Sequence, residues 1–286
     1  MTRKLIPFLF LSLCFFSSRS QILRVATFNM RYDNSGDSLN PWKERLPVIS
    51  QMVHFHDFDV FGGQELLHHQ VEGLQNNLPQ FAFYGVGRDD GKTKGEYTPV
   101  FYKKDKFRLL EKGTFWLSET PGKVSKGWDA ALPRICSWIK LEEVDTGLTF
   151  FVFNTHFDHR GMQARKNSAI LILDQMKTIA GNVPALLTGD FNFDQYHENY
   201  KLIKLSPDVK DTYDLAKIKM PHNGTFNGFR ITSNSDKRID HIFVNDSFEV
   251  RKYGILTDSY FGKFPSDHFP VVVEVAAKKT KGKTKK

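Results

Sequence analysis

ALLTGDFN, residues 185–192, decides how the chain is read. From Val183 to Thr188 it is a short apolar run of the kind that forms a strand. The run then stops on Asp190 and Asn192. Asp and Asn also favour turns, so the segment alone is an ordinary strand boundary. Repetition changes its weight. Outward from it, RVATFN stops on Asn29, DVFGGQE on Glu65, and FFVFNTH on Asn154 and His156. RIDHIFV carries Asp240, and SDHFPVVVEV sets Ser266, Asp267 and His268 just before a strand. Strand ends on one rim of a sheet bring distant residues together on a rigid frame.

Further strand-like runs cover 22–28, 59–63, 81–86, 99–102, 107–117, 136–142, 148–154, 239–244, 248–256 and 270–275. Helical patterns cover 42–55, 66–78 and 161–180. The last places Ala169, Ile172, Leu173, Met176 and Ile179 on one stripe. Strands outnumber helices and do not alternate with them regularly. That favours an α/β chain of two packed sheets with helices outside.

The chain has 286 residues and a formal net charge of +8. The ends carry it. Residues 1–20 hold Arg3, Lys4 and Arg19 and no acid, and residues 278–286 hold six lysines and no acid, so the body is near neutral at −1. The overall surplus is therefore weak evidence for a nucleic-acid partner. A 40% hydrophobic content excludes a disordered chain, and 2 Cys exclude a disulfide scaffold. Residues 1–20 have a basic start, a short apolar run and small residues before Gln21, the pattern of a signal peptide. The expected organisation is a signal peptide at 1–20, one domain at 21–277 and a disordered Lys-rich tail at 278–286. An exported protein, periplasmic or secreted, is expected, with no transmembrane segment in the mature chain.

Carboxylates and amides supply hard oxygen ligands suited to Mg²⁺ or Mn²⁺. Beside histidines they suit hydrolysis of a phosphate ester. Zinc catalysis fits poorly. The dinuclear pattern His-x-His-x-Asp-His would need its first His where Asn154 stands. A binding module that kept the fold and lost the chemistry is disfavoured, because the acids and histidines are all present.

On these motifs, TFNMR, GGQE, FNTHFDH, TGDFN, RIDHIF and SDHFP, the chain resembles the endonuclease/exonuclease/phosphatase superfamily over residues 27–270. The resemblance implies a four-layer α/β sandwich of two mainly antiparallel sheets, with the site where the motifs meet. It implies Glu65 as the main Mg²⁺ or Mn²⁺ ligand, with Asn29 and Asp267 beside it. Asp190 would activate water, helped by Asn192. His268, oriented by Asp240, and His156 would act at the phosphate. Attack by water would be in line, without a covalent intermediate. NPW, FWLSETP and GWDAALPRICSW look like a bacterial branch of undefined substrate.

On the substrate side, Arg134, Asn154, Asp158 and Arg31 are expected to contact a phosphate ester, either a small molecule or nucleic acid. Trp42, Trp116 and Trp128 are more often packing residues than stacking walls. A monomer is expected.

Overall fold

The structure, a computed structural model, describes residues 22–37 and 39–278. The expected signal peptide, and all but the first residue of the expected lysine tail, lie outside these. In chain order the elements are β1 (Ile22–Asn29), α1 (Trp42–Phe55), β2 (Val60–Gln64), α2 (His68–Asn77), β3 (Phe81–Tyr84), β4 (Val100–Lys103), β5 (Phe107–Trp116), β6 (Ile135–Glu143) and β7 (Thr149–His156). There follow α3 (Met162–Ala180), β8 (Ala185–Asp190), α4 (Glu198–Lys204), β9 (Lys210–Asp211), α5 (Thr212–Leu215), β10 (Ile218–Lys219), β11 (Asp240–Val244), β12 (Phe248–Ile255) and β13 (Val271–Ala277). The short elements α4, α5, β9 and β10 were not anticipated from sequence. Among the described residues no helix is long and apolar enough to cross a membrane.

A 7-stranded sheet runs β10-β12-β13-β1-β2-β4-β3, and a 6-stranded sheet runs β5-β6-β7-β8-β11-β9. Pairing is antiparallel except for β1–β2, β7–β8 and β10–β12. Alternate residues of a strand face opposite sides, which sorts the apolar side chains into three layers. Between the sheets lie Val25, Val60 and Val273 from one and Ile139, Val152 and Leu186 from the other. On the outer face of the larger sheet, Phe28, Phe61 and Phe101 pack under Ile49 and Val53 of α1 and Val71 and Leu74 of α2. On the outer face of the smaller, Phe153, Leu187 and Phe243 pack under Ala169, Ile172 and Met176 of α3 and Ile203 of α4. The order helix, sheet, sheet, helix is the expected four-layer sandwich.

The sheets are also tied by a polar link. Asn154 on β7 donates to the carbonyls of Gly63 (2.8 Å) and Pro99 (2.9 Å) across the interface. Its Oδ1 accepts from Gln64 Nε2 (2.6 Å) and Thr188 Oγ1 (3.1 Å). Gly62 makes room for this. A Cβ there would lie 2.3 Å from Asn154 Oδ1. The expectation that Asn154 contacts substrate is thereby corrected. The residue is fully buried and its amide is already engaged on both ends.

Candidate active site

Register brings the site together. β7 runs parallel to β8 with His156 opposite Asp190, and β11 runs antiparallel with Asp240 opposite Asp190. In the other sheet Asn29 ends β1 opposite Gln64, one residue before Glu65. His268 stands three residues before β13, the strand paired with β1. The two sheets thus present their polar ends on a shared rim. The backbone turns sharply there. Arg31, Glu65 and Asn192 all have φ between 52° and 62°, a left-handed conformation that non-glycine residues hold at a cost of about 1–3 kcal/mol each.

Asp190 is the hub. Its Oδ2 accepts from Asn29 Nδ2 at 2.9 Å, and its Oδ1 accepts from the Asn192 amide at 2.9 Å. Two imidazole nitrogens face Oδ2, His156 Nε2 at 3.6 Å and His268 Nε2 at 3.8 Å. Burial, reinforced by Asp240, pushes the Asp190 carboxyl up to about 7. On the far side of His268, Nδ1 lies 2.9 Å from Asp240 Oδ2. Burial opposes charge on this ring, but Asp240, with Asp190 and Asp267 behind it, outweighs burial and raises His268 well above the usual range.

His156 behaves oppositely. Burial, with the nearby Arg134, Arg88 and His268, pushes it well below the usual histidine range, so it is neutral. Asn192 Nδ2 donates to its Nε2 at 3.0 Å, which leaves the ring proton on Nδ1. That nitrogen faces Glu96 Oε2 at 3.7 Å. His156 lines the cavity beside Asp190. In this tautomer, however, its Nε2 is an acceptor, and donation to a phosphoryl oxygen needs the proton moved.

Glu96 was not anticipated. It belongs to no strand end and is held by Arg88, whose Nη1 donates to it at 2.8 Å. Burial, with Glu65 adding to it, raises its carboxyl despite Arg88. Arg134 is buried, with Nε 3.5 Å from Asp158 Oδ2 and Nη2 3.0 Å from His159 Nδ1. Its Nη1 makes no hydrogen bond and lies at the cavity wall 3.9 Å from Glu96 Oε2. Asp158 supports the loop from behind, accepting from the amides of Arg160 and Gly161. Those contacts, burial notwithstanding, hold it at about 2. It does not line the cavity, so the expected substrate contact gives way to a supporting one through Arg134.

The cavity has a volume of about 570 Å³, within the range of small-molecule sites. Arg31, Glu65, Glu96, Arg134, His156, Asp190, Asn192, Asp267 and His268 line it. Trp42, Trp116 and Trp128 do not. Trp42 packs in the core and Trp116 donates to the Arg88 carbonyl, the packing role favoured from sequence.

The donor set fits a hard divalent cation. Three of the cavity carboxyls, Glu96, Asp190 and Asp267, are raised chiefly by burial. Such an excess of buried acid is relieved by a cation bound through oxygen. Glu65, His156 and Asp190 offer ligand atoms within 4.8 Å of one another, as do Asp190, Asp240 and His268. Arg31 sits 3.9 Å from both Glu65 Oε2 and Asp267 Oδ2 and partly balances the two. Asn29 turns its nitrogen, not its oxygen, towards Glu65 (3.0 Å). It thus bridges Glu65 and Asp190, and direct ligation through Oδ1 requires the amide to turn.

The sequence profile of the Endonuclease/Exonuclease/phosphatase family matches residues 26–268. No curated protein sequence matches the chain. Among solved structures, an endonuclease/exonuclease/phosphatase family protein from Bacteroides thetaiotaomicron shares 48% identity at a TM-score of 0.89, covering 91% of this chain and 100% of that one. A mannosyl-6-phosphatase from the same organism shares 49% identity at 0.87, covering 89% and 99%. A Bacteroides vulgatus endonuclease/exonuclease/phosphatase shares 41% at 0.87, covering 90% and 100%. With Asn29, Glu65, His156, Asp190, Asp240 and His268 all inside the matched span and gathered on one rim, the chain belongs to the Endonuclease/Exonuclease/phosphatase family.

Proposed function

We propose that this phosphate-ester hydrolase removes the phosphoryl group from a primary hydroxyl of a hexose, outside the cytoplasm, with Mg²⁺ or Mn²⁺ at Glu65 and Asp267. The observation that carries the substrate class is 49% identity to a mannosyl-6-phosphatase over 89% of the chain. The near-neutral body supports a small substrate over a long polyanion, which needs cations along its track. The alternative reading, a secreted nuclease acting on DNA or RNA, lacks such support. Export rests on the basic start, apolar run and small residues of 1–20. The protein acts as a monomer in this reading.

The bound cation supplies charge neutralisation on the phosphoryl oxygens. The protein's own groups do the rest. Asp190 holds the attacking water and takes its proton, its basicity raised by burial. Asn192 fixes Asp190 through its backbone amide. His268, kept protonated by Asp240, faces the phosphoryl group and stabilises the charge that develops there. Arg134 offers its Nη1, which makes no hydrogen bond and lies 3.9 Å from Glu96 Oε2, to a phosphoryl oxygen. His156, with Glu96 behind its Nδ1, sits against Asp190 and Asn192 and orders that wall.

The test is a panel of hexose 6-phosphates, a nitrophenyl phosphodiester, DNA and RNA, assayed with Mg²⁺ and with EDTA. The expected result is phosphate release from a hexose 6-phosphate that is lost in EDTA and in Asp190→Ala. A higher kcat/KM on DNA or the diester would overturn the substrate assignment.

A further inference from the structure

A second cavity of about 730 Å³ adjoins the first and shares Arg31, Phe226, Ile239 and Asp267 with it. Its outer wall is the loop 226–237. We infer that this cavity is the subsite for the hydroxylated ring that carries the phosphate, with Phe226 as its stacking wall and Arg230 as its hydrogen-bonding arm. The inference rests on the hexose-phosphate reading and adds the part of the protein that selects the sugar.

The base of the loop is fixed to the catalytic segment. The amides of Asn227 and Gly228 both donate to the Asp267 carbonyl, at 2.8 and 3.0 Å. Asn227 Nδ2 donates to the Ser266 carbonyl at 3.1 Å, and Phe226 pairs with His268 in an antiparallel bridge. What sits on the loop is therefore held at a set distance from His268. Phe226 stands edge-on to that imidazole, centroids 5.1 Å apart, and yet is 47% exposed. A large apolar ring left open beside a buried histidine offers a face for the C–H surface of a sugar ring.

The rim above Phe226 is rich in hydroxyls, amides and one cation. Arg230, Thr232 and Asn234 line the cavity, and no side-chain hydrogen bond or ion pair engages them among the described residues. A mixed set of donors and acceptors around an aromatic face suits a polyol, whose hydroxyls both donate and accept. A nucleic-acid strand would call for several free cations. Here Arg31 is engaged by Asp37 at 2.8 Å and Lys237 lies 3.5 Å from Asp194.

The experiment compares a hexose 6-phosphate with ethyl phosphate, which carries the same ester and no ring. Wild type should prefer the hexose ester. Arg230→Ala and Phe226→Leu should each lose at least ten times more kcat/KM on the hexose ester than on ethyl phosphate, mainly through KM. Arg230→Lys should recover part of the Arg230 loss. Variants that keep the wild-type preference, or lose equally on both esters, overturn this subsite and leave the hexose-phosphatase reading standing. A wild type with no preference for the hexose ester overturns both. Circular dichroism of each variant checks the fold, and Arg230 is exposed, so its truncation removes no core contact.

Discussion

His268 Nδ1 lies 2.9 Å from Asp240 Oδ2, and both residues are buried. Asp240 holds the imidazolium in place, and the ring's outer nitrogen lies 3.8 Å from Asp190 Oδ2. In Asp240→Asn the shape is kept and the charge that holds the imidazolium is gone. His268 should then titrate at lower pH by NMR, and kcat should fall by about 10²–10⁴, the span of positioned acid–base groups. KM should change little. An unaltered kcat would remove the pair from the mechanism.

Glu65 is expected to govern cation affinity rather than folding. It is partly exposed at the cavity mouth and held in a left-handed backbone turn. Glu65→Gln should weaken Mg²⁺ binding at least tenfold by calorimetry. The cation-free protein should unfold within about 1.5 kcal/mol of wild type, since Gln keeps an acceptor oxygen for Asn29 Nδ2 and loses at most the charge on one hydrogen-bonded group. Added Mg²⁺ should raise the Tm of wild type more than that of the variant at the same concentration, since the stabilisation falls as affinity falls. Equal Mg²⁺ affinity in both proteins would take Glu65 out of the ligand set.

Most of the sheet structure was legible because its strands are long enough to alternate. The runs expected at 22–28, 107–117 and 248–256 correspond to β1, β5 and β12 with ends shifted by a residue. The helix expected at 42–55 is α1. The two-residue strands β9 and β10 and the helices α4 and α5, of seven and four residues, leave too few positions for a strand or helix period to show. Of the candidate site residues read from strand ends, Glu65, His156, Asp190, Asn192, Asp267 and His268 line one cavity. Glu96 escaped because it sits in a Lys- and Gly-rich loop and is positioned by Arg88, with Arg134 at 3.9 Å, rather than by a strand end. Arg45 escaped for another reason. A charge inside an amphipathic helix reads as solvated, but this guanidinium is fully buried. It donates to the carbonyls of Met30 (2.6 Å), Arg31 (3.0 Å) and Pro265 (3.2 Å), fastening the two loops that carry Arg31 and Asp267. Asn154 was misassigned by the same alternation that found the strand. It shares a face with His156 but lies one step deeper, between the sheets.

That depth makes Asn154 a stability residue. Asn154→Leu removes four buried hydrogen bonds, those to the Gly63 and Pro99 carbonyls and those from Gln64 and Thr188, although Pro99 still accepts from the Gly63 amide and Gln64 still donates to Thr27 and to the Gly62 carbonyl. Each lost bond costs about 0.5–1.5 kcal/mol net. The variant should lose roughly 2–5 kcal/mol in urea unfolding, while KM of the folded fraction stays within about twofold. A raised KM at unchanged stability would return Asn154 to the substrate side.

His241 should make the fold acid-sensitive. It stands on β11 among Phe191, Tyr200 and Phe243, with Nε2 3.3 Å from the Phe193 carbonyl. Burial holds it down at about 4, against 6.5 for a free histidine. As pH falls below 6.5, the unfolded chain gains a proton that the folded chain refuses until about pH 4. Stability from this residue is therefore present above pH 6.5, falls between 6.5 and 4, and is flat below. At 1.36 kcal/mol per unit the loss reaches roughly 3 kcal/mol. His241→Phe suits the aromatic surroundings and cannot take up the proton. Its stability, measured by urea unfolding at pH 7, 5.5 and 4.5, should decline less steeply than that of wild type. The carboxylates common to both proteins cancel in the difference. Parallel curves would mean that His241 does not set the acid limb.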